Sequence, residues 1–236
     1  RAAPAPAPRR YGAAVLVLAV GSPKGGVGKT TLAGTLAVLA ARTLKLRVLL
    51  VDADENRSAL DWLGDAPDLD VAPGLDYPGL RRMRGRPNAP YDLVVIDLPG
   101  ARAGAFEAVL SAAVDLLLVP TLIDLMDIRP VLRVVEREVL PAGVAALLVL
   151  TRVEGYHLAL AAQRKAELRA RGIHVADTLV RRYVAYAEAH EQGLTVADVP
   201  GRHARARAAE SDVRHLAVEV FGRLGLDVRS LAPGSL

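Results

Sequence analysis

The segment SPKGGVGKTT, residues 22–31, constrains the fold of this chain more than any other stretch. An apolar run precedes it at residues 13–20, and a helical stretch follows at residues 29–44. Glycine-rich loops can aim several backbone N–H groups at one anion, because glycine adopts conformations that other residues rarely reach. A helix that begins directly after such a loop favours phosphate at its N-terminus. Strand, loop and helix together predict a phosphate-binding site.

Apolar runs of the same kind recur along the chain, rich in valine, leucine and isoleucine and without polar alternation. Such runs are typical of strands buried on both faces of a parallel sheet. They lie at residues 13–20, 46–53, 91–98, 114–120 and 144–151, with a weaker one at 173–178. Helical stretches are predicted between them at residues 29–44, 106–113, 128–138 and 157–171. The alternation predicts an α/β fold: a doubly wound, mostly parallel sheet with helices on both faces.

The domain organisation predicted from composition is simple. A chain of 236 residues that is 52% hydrophobic can bury one large core. We predict a single domain at residues 13–226, a flexible Pro/Ala-rich arm at residues 1–12 and a tail at residues 227–236.

Composition also narrows the chemistry and the setting. The chain has no cysteine, which excludes disulfides, thiolate metal sites and iron–sulfur clusters and is typical of a reduced cytoplasm. The formal charge of +4 permits contact with nucleic acid without requiring it. No apolar run approaches the roughly 18 residues that a membrane-spanning helix needs.

Polar residues that could bind a ligand or take part in catalysis follow four of the predicted strands. They are residues 24–31, Asp52 with Asp54, residues 97–100, and Thr151 with Arg152. In open α/β sheets, ligands bind beyond the carboxyl ends of the strands, so these groups are expected to converge. Lys29 is predicted to contact the β- and γ-phosphates of a nucleotide, and the Thr30 hydroxyl to bind Mg²⁺.

The loop departs from the general pattern G-x-x-x-x-G-K-[ST], since its first glycine position holds Pro23 and Lys24 follows. In this form KGGVGKTT resembles the deviant Walker A loop of the ParA/MinD ATPases. The resemblance implies a P-loop NTPase fold of the SIMIBI type, ATPase activity, and ATP and Mg²⁺ as cofactors. It further implies an ATP-dependent homodimer in which Lys24 crosses to the partner's nucleotide while Lys29 serves its own subunit.

Two further segments extend the resemblance. VDADENRSALDWL is similar to the ParA segment VDxDPQxSALDW, which implies that Asp52 acts behind the direct Mg²⁺ ligands and that Asp54 positions the attacking water. Orienting that water is one of the few tasks that phosphoryl transfer asks of a protein. Glu55 and Asn56 replace the family's Pro-Gln. VVIDLPG resembles the Walker B strand and second switch, with Asp97 at Mg²⁺ and the Gly100 amide at the γ-phosphate.

LLVLTRVEG resembles the segment that borders the adenine, although Thr151 stands where the family usually has asparagine. The predicted catalytic residues are Lys24, Lys29 and Asp54. The predicted magnesium residues are Thr30, Asp52 and Asp97. The predicted ATP-binding residues are Lys24, Gly25, Gly26, Val27, Gly28, Lys29, Thr30, Thr31, Gly100, Thr151 and Arg152.

ATPases of this family bind either the membrane or the nucleoid, and the C-terminal segment helps to distinguish the two. Val213, Leu216, Ala217, Val220, Phe221 and Leu224 form a helical stripe. The opposite face mixes acidic and basic residues, which favours a core-packed helix over a basic membrane anchor and argues against a membrane partner. Arginines cluster elsewhere, and RRYVAYAEAHEQGLTV resembles a ParA segment associated with DNA. The predicted DNA contacts are Arg181, Arg182, Arg202, Arg205 and Arg207.

Together these features predict a cytoplasmic, nucleoid-associated ParA-type ATPase for chromosome or plasmid partition. The resemblance implies that its ATP-bound dimer binds nonspecific double-stranded DNA and that a ParB-like partner stimulates hydrolysis. Two alternatives remain open. One is a MinD-like membrane-positioning ATPase, and the other is a metabolic ATP-dependent ligase of the cobyrinate-diamide or dethiobiotin synthetase kind.

Overall fold

The computed structural model describes residues 14–74, 76–84, 86, 88–100, 114–199 and 204–231. Seven strands within these ranges form one parallel sheet in the order β3-β2-β4-β1-β5-β6-β7. The strands are β1 (Leu16–Val20), β2 (Val48–Asp52), β3 (Asp70–Pro73), β4 (Leu93–Asp97), β5 (Leu116–Thr121), β6 (Ala146–Val153) and β7 (Val180–Arg181).

Helices connect the strands. They are α1 (Lys29–Arg42), α2 (Ser58–Leu63), α3 (Tyr77–Arg84), α4 (Leu125–Val134), α5 (Leu158–Ala170), α6 (Ala185–Glu191) and α7 (Ala204–Arg223). A π-helical turn at Val135–Val139 continues α4. Short 3₁₀ segments lie at Gly155–His157 and Arg229–Leu231.

Each face of the sheet carries its own apolar core, which confirms the doubly wound architecture. Along β1, Leu18 and Val20 belong to one core, and Val17 and Ala19 belong to the other. The first core packs against α1, α2 and α7, and the second against α3, α4 and α5. Because both faces are covered, β4 and β5 are buried at every residue. This explains why their sequences lack polar alternation.

The predicted elements match much of the structure, but the short helices α2, α3 and α6 were not predicted, and further differences concern two edge segments and one helix boundary. The weak run at residues 173–178 makes only a single bridge, from Val175 to Leu148, and the edge strand is β7 instead. Strand β3, whose four residues are half-buried or exposed, was not predicted. The helix predicted at residues 128–138 begins earlier, at Leu125. The helix predicted at residues 106–113 lies outside the described residues.

The C-terminal helix α7 confirms the prediction of a core-packed helix. Val213, Leu216, Ala217, Val220 and Phe221 all have no exposed surface. Burial of each of the larger side chains among them stabilises the folded state by about 1.5–3 kcal/mol. Among the described residues, no helix is both long and apolar enough to cross a membrane.

Candidate nucleotide-binding site

The glycine loop joins β1 to α1 and has the backbone shape that phosphate binding needs. Gly26 and Gly28 have φ angles of 70° and 86°, in the left-handed region that favours glycine. A Cβ added at Gly25 or Gly28 would meet no atom within 4 Å, so the space beside these two glycines is open. Val27 is fully buried between them and anchors the loop. The loop can therefore aim its amides at an anion.

Two of the predicted phosphate residues converge at the start of α1. The Lys29 ammonium lies 3.4 Å from the carbonyl oxygen of Lys24. A Cβ added at Gly100, after β4, would lie 3.7 Å from the same ammonium. The structure thus brings the loop lysine and the predicted γ-phosphate amide to one place.

Beside them lies a buried acidic pair at the ends of two neighbouring strands. Asp52 and Asp97 are register partners on β2 and β4, and each is only 1% exposed. Burial, opposed by the hydrogen bond from the Thr30 side chain and assisted by the nearby Asp52 charge, raises the pKa of Asp97 to about 7. Oδ1 of Asp97 has no hydrogen-bond partner in the described part of the chain. A buried carboxylate oxygen without a partner, next to a threonine hydroxyl, fits a hard divalent cation such as Mg²⁺.

Asp52 has a second task that the sequence did not predict. Its Oδ2 accepts hydrogen bonds from the backbone N–H groups of Ala59 (2.8 Å) and Leu60 (2.9 Å). Its Oδ1 accepts one from the N–H of Asp54 at 3.1 Å. Asp52 therefore fixes both the loop that carries Asp54 and the first turn of α2.

Asp54 itself sits in a tight turn at the mouth of the site. Its Oδ1 accepts hydrogen bonds from the backbone and side-chain amides of Asn56, both at 3.0 Å. This Asx-type turn explains how the chain folds here without the family's proline. The carboxylate lies on the carboxyl side of β2, as predicted.

Thr151 and Arg152, near the end of β6, contact the backbone of the glycine loop. The Thr151 hydroxyl oxygen lies 2.9 Å from the carbonyl oxygen of Val27. The Arg152 guanidinium donates to the carbonyl oxygen of Gly26 at 2.8 Å. Both residues therefore support the loop's backbone, a contact that the sequence did not predict, and both also line the cavity that adjoins the loop.

A cavity of about 930 Å³ continues from the loop towards β7. Its lining includes Gly28 and Thr31 of the loop and α1 together with Tyr183, Tyr186 and His190. Its size and mixed lining suit the nucleoside part of a nucleotide. Sequence reasoning missed these three residues as cavity residues. The available signal was the position of Tyr183 and Tyr186 shortly after an edge strand, at the same carboxyl edge as the loop.

The arginines predicted to bind DNA occupy unexpected places. Arg181 forms a forked pair with the buried carboxylate of Asp212, with Nη2 to Oδ1 at 2.6 Å. Arg182 pairs with Glu154 at 2.9 Å, and Arg205 lines the cavity mouth. Arg207 is exposed on α7, and Arg202 lies outside the described residues. Arg181 and Arg182 are thus engaged by acidic groups of their own chain.

Lys24 points away from the cradle formed by its own loop. Its ammonium forms an ion pair with Asp127 at 2.8 Å, in the first turn of α4. The Asp127 side chain is only 12% exposed, whereas that of Lys24 is 47% exposed. The two loop lysines therefore have different surroundings within one protomer.

Comparison with known proteins settles the family. The model of the "CobQ/CobB/MinD/ParA nucleotide binding domain" matches residues 18–196. The chain belongs to this ParA/MinD family of P-loop ATPases. Over 211 residues it is 39% identical to the maintenance of carboxysome distribution protein A (McdA) of Gloeobacter kilaueensis, covering 86% of this chain and 93% of that protein. The chromosome-partitioning ATPase Soj of Thermus thermophilus is 34% identical over 238 residues, covering 82% and 93%.

Solved structures of the family share the fold of this ParA/MinD ATPase. An ATP complex of an Asp-to-Ala variant of McdA from Cyanothece superposes with a TM-score of 0.69 at 20% identity, covering 92% of this chain and 98% of that one. The cell-division ATPase MinD of Pyrococcus furiosus gives 0.68 at 21% identity, covering 88% and 98%. Family membership confirms the predicted ATPase activity with ATP and Mg²⁺ as cofactors. The roles of single residues stay predictions.

The buried Asp97 carboxylate leads to a prediction about stability. Replacing Asp97 with asparagine is expected to raise the melting temperature of the nucleotide-free ATPase by several degrees, because a poorly compensated buried charge is removed at a gain of about 1–2 kcal/mol. ATP with Mg²⁺ should raise the melting temperature of wild type more than ATP with EDTA does. In Asp97→Asn this difference between the two melting temperatures should disappear. Asp61→Asn, at an exposed carboxylate on α2, is the matched control. A Mg²⁺-dependent shift that survives in Asp97→Asn would refute the magnesium assignment.

Proposed function

We propose that this ATPase positions a large cargo on the nucleoid through an ATP-dependent homodimer that binds nonspecific DNA. The observation that carries the proposal is the division between the two loop lysines. Lys29 lies in the cradle of its own subunit, and Lys24 points out of it towards Asp127. A second loop lysine on the open side of the site is suited to a nucleotide held by another protomer.

Exposed apolar side chains at the same edge support a face-to-face dimer. Among the described residues, six large hydrophobic side chains are exposed, and five of them follow the carboxyl ends of β5, β6 or β7. These five are Leu125, Met126, Tyr156, Leu158 and Val184. Met126 is 77% exposed and Tyr156 is 79% exposed. Apolar surface around a ligand site is typical of an interface, and methionine and tyrosine are enriched there.

The geometry supports the following proposed roles within each protomer. Lys29 and the loop amides hold the phosphates, and Thr30 and Asp97 hold the cation. Bound Mg²⁺ would neutralise charge that develops on the phosphate oxygens. Asp54 orients the attacking water, and Asp52 fixes the loop that carries Asp54.

The relatives favour positioning over metabolic synthesis. The family's description includes CobQ and CobB, so membership alone leaves the ligase alternative open. The relatives McdA and Soj, at 39% and 34% identity over most of the chain, support a positioning ATPase instead. ATP turnover without any small-molecule acceptor would support the same choice.

The two relatives suggest two different cargoes. Soj supports the predicted chromosome or plasmid partition with a ParB-like, DNA-bound partner. McdA, whose name refers to carboxysome distribution, supports a protein compartment as cargo. Deletion of the gene, followed by imaging of replicon and compartment positions in single cells, would distinguish the two. The membrane alternative is tested separately by sedimentation with anionic vesicles.

Asp54→Ala is expected to keep the ATP-bound dimer on DNA. Without a group to orient water, hydrolysis should slow by about 10²-fold or more, and the ATP-bound dimer should persist. The measurement is co-sedimentation with random-sequence duplex DNA over time, with limiting ATP. Wild type should leave the DNA as ATP is consumed, whereas the variant should remain bound. Release of the variant at the wild-type rate would reject the role of Asp54, and absence of ATP-dependent DNA binding in wild type would reject the proposed function.

A further inference from the structure

The outer face of α4 carries three exposed arginines, Arg129, Arg133 and Arg137, which we call the α4 arginine stripe. The inner face of the helix, opposite the arginines, packs into the core. Ile128, Val131, Leu132, Val135 and Val139 are all buried against the sheet. This burial turns the stripe outward.

The stripe is straight because of the π-helical turn. Arg129 and Arg133 are four residues apart in α4, and Arg137 lies four further on in the π-helical segment. The N–H of Leu140 bonds to the carbonyl oxygen of Val135 at 2.9 Å, an i→i+5 contact that widens the turn. Four residues then come close to one full turn, so Arg137 stays above Arg133. With a rise of about 1.5 Å per residue, neighbouring arginines start about 6 Å apart along the axis.

None of the three guanidinium groups has a hydrogen bond or ion pair with any residue that the structure describes. The nearby carboxylate of Glu136 is taken by Arg171 at 2.7 Å. Glu138 is the other exposed acidic residue of this turn. Within the described part of the chain, the stripe therefore presents positive charge that no acidic group neutralises by a direct ion pair. This contrasts with Arg181 and Arg182, which are both paired.

The surface between the arginines fits a polyanion better than a protein. No large hydrophobic side chain is exposed from Arg129 to Arg137. Protein interfaces depend on buried apolar or aromatic anchors. The nearest exposed ones, Leu125, Met126 and Leu140, lie beyond the two ends of the stripe, and the first two belong to the proposed dimer interface. Duplex DNA offers one phosphate per about 1.7 Å of its axis, so each arginine on a stripe about 12 Å long can reach a separate phosphate.

We infer that the α4 arginine stripe is the surface through which this ATPase contacts the phosphate backbone of duplex DNA. The inference rests on the proposed function and assigns its DNA contact to residues other than the paired Arg181 and Arg182. In a homodimer the stripe occurs twice, and simultaneous engagement strengthens a contact that is weak for one protomer.

The test compares two triple variants with equal loss of charge. The first is Arg129→Ala, Arg133→Ala and Arg137→Ala. The control is Arg81→Ala, Arg86→Ala and Arg223→Ala, at exposed arginines elsewhere on the described surface. Each protein, with Mg²⁺ and a slowly hydrolysed ATP analogue, is titrated against a fluorescent 30-base-pair random duplex at several salt concentrations. Scattering measures dimerisation, and thermal melts measure folding.

The stripe variant is expected to bind DNA about tenfold or more weakly, with dimerisation, nucleotide affinity and melting temperature unchanged. The slope of log affinity against log salt should become shallower by up to about 5 for the dimer. The control should bind within about twofold of wild type. Equal binding by the stripe variant, or equal loss in the control, would overturn the inference while leaving the proposed function standing. Retained DNA binding with loss of partner-stimulated hydrolysis would assign the stripe to an acidic protein and would also overturn it. If wild type itself shows no ATP-dependent DNA binding, the proposed function fails first.

Discussion

Replacing Lys29 with alanine is expected to abolish ATP binding. The Lys29 ammonium stands where the glycine loop, α1 and Gly100 meet, 3.4 Å from the Lys24 carbonyl oxygen. Charge-assisted contacts to phosphate are among the strongest hydrogen bonds in proteins. Their loss, together with uncompensated phosphate charge beside Asp97 and Asp52, should weaken ATP binding by about 10³-fold, roughly 4 kcal/mol.

Isothermal titration calorimetry with ATP and Mg²⁺ measures this effect. Lys45→Ala is the matched control, because Lys45 is exposed after α1 at the opposite end of the sheet. The control should bind ATP like wild type. ATP affinity of Lys29→Ala within tenfold of wild type would mean that the phosphates lie elsewhere.

Replacing Lys24 with alanine should have a different effect, on assembly and not on binding. The Lys24 ammonium is held by Asp127 at 2.8 Å and takes no part in the cradle of its own loop. Nucleotide affinity of the protomer should therefore change by less than about tenfold. The ATP-dependent dimer should be lost, because the proposed contact of Lys24 to the partner's triphosphate is a charge-assisted one made only across the interface.

Size-exclusion chromatography with light scattering separates these effects. Wild type with a slowly hydrolysed ATP analogue should double in mass, and Lys24→Ala should remain a 25.0 kDa protomer. Asp127→Asn is the matched control, because it also breaks the Lys24–Asp127 pair but leaves the ammonium free. It should dimerise at least as well as wild type. If both variants lose the dimer equally, the pair with Asp127 is needed for assembly, and the crossing role of Lys24 is refuted.

The sheet and the phosphate loop could be predicted from the sequence because their signals are local. Strands buried on both faces appear as unbroken apolar runs, and the glycine loop lies between one such run and a helix. The edge strand β3 gave no such signal, since only four half-exposed residues form it. The α4 boundary was missed because the periodic apolar face starts only at Ile128, after the exposed Leu125 and Met126.

The site was only partly predictable, because its supporting contacts join distant residues. The Thr151 hydroxyl and the Val27 carbonyl are 124 positions apart, and Arg181 and Asp212 are 31 apart. No local pattern predicts which carboxylate will engage an arginine, so Arg181 and Arg182 appeared as available cations. Conversely, Arg129, Arg133 and Arg137 are scattered among apolar residues in the sequence, and only the helix brings them to one face.

The division of roles between Lys24 and Lys29 can be observed in a crystal structure of the ATPase with Mg²⁺ and an ATP analogue. We expect two protomers facing each other through the carboxyl edges of their sheets. In each, Lys29 contacts its own triphosphate, and Lys24 has left Asp127 to reach the phosphates of the partner. A single nucleotide-loaded protomer, in solution as well as in the crystal, with Lys24 still paired to Asp127, would contradict this division of roles.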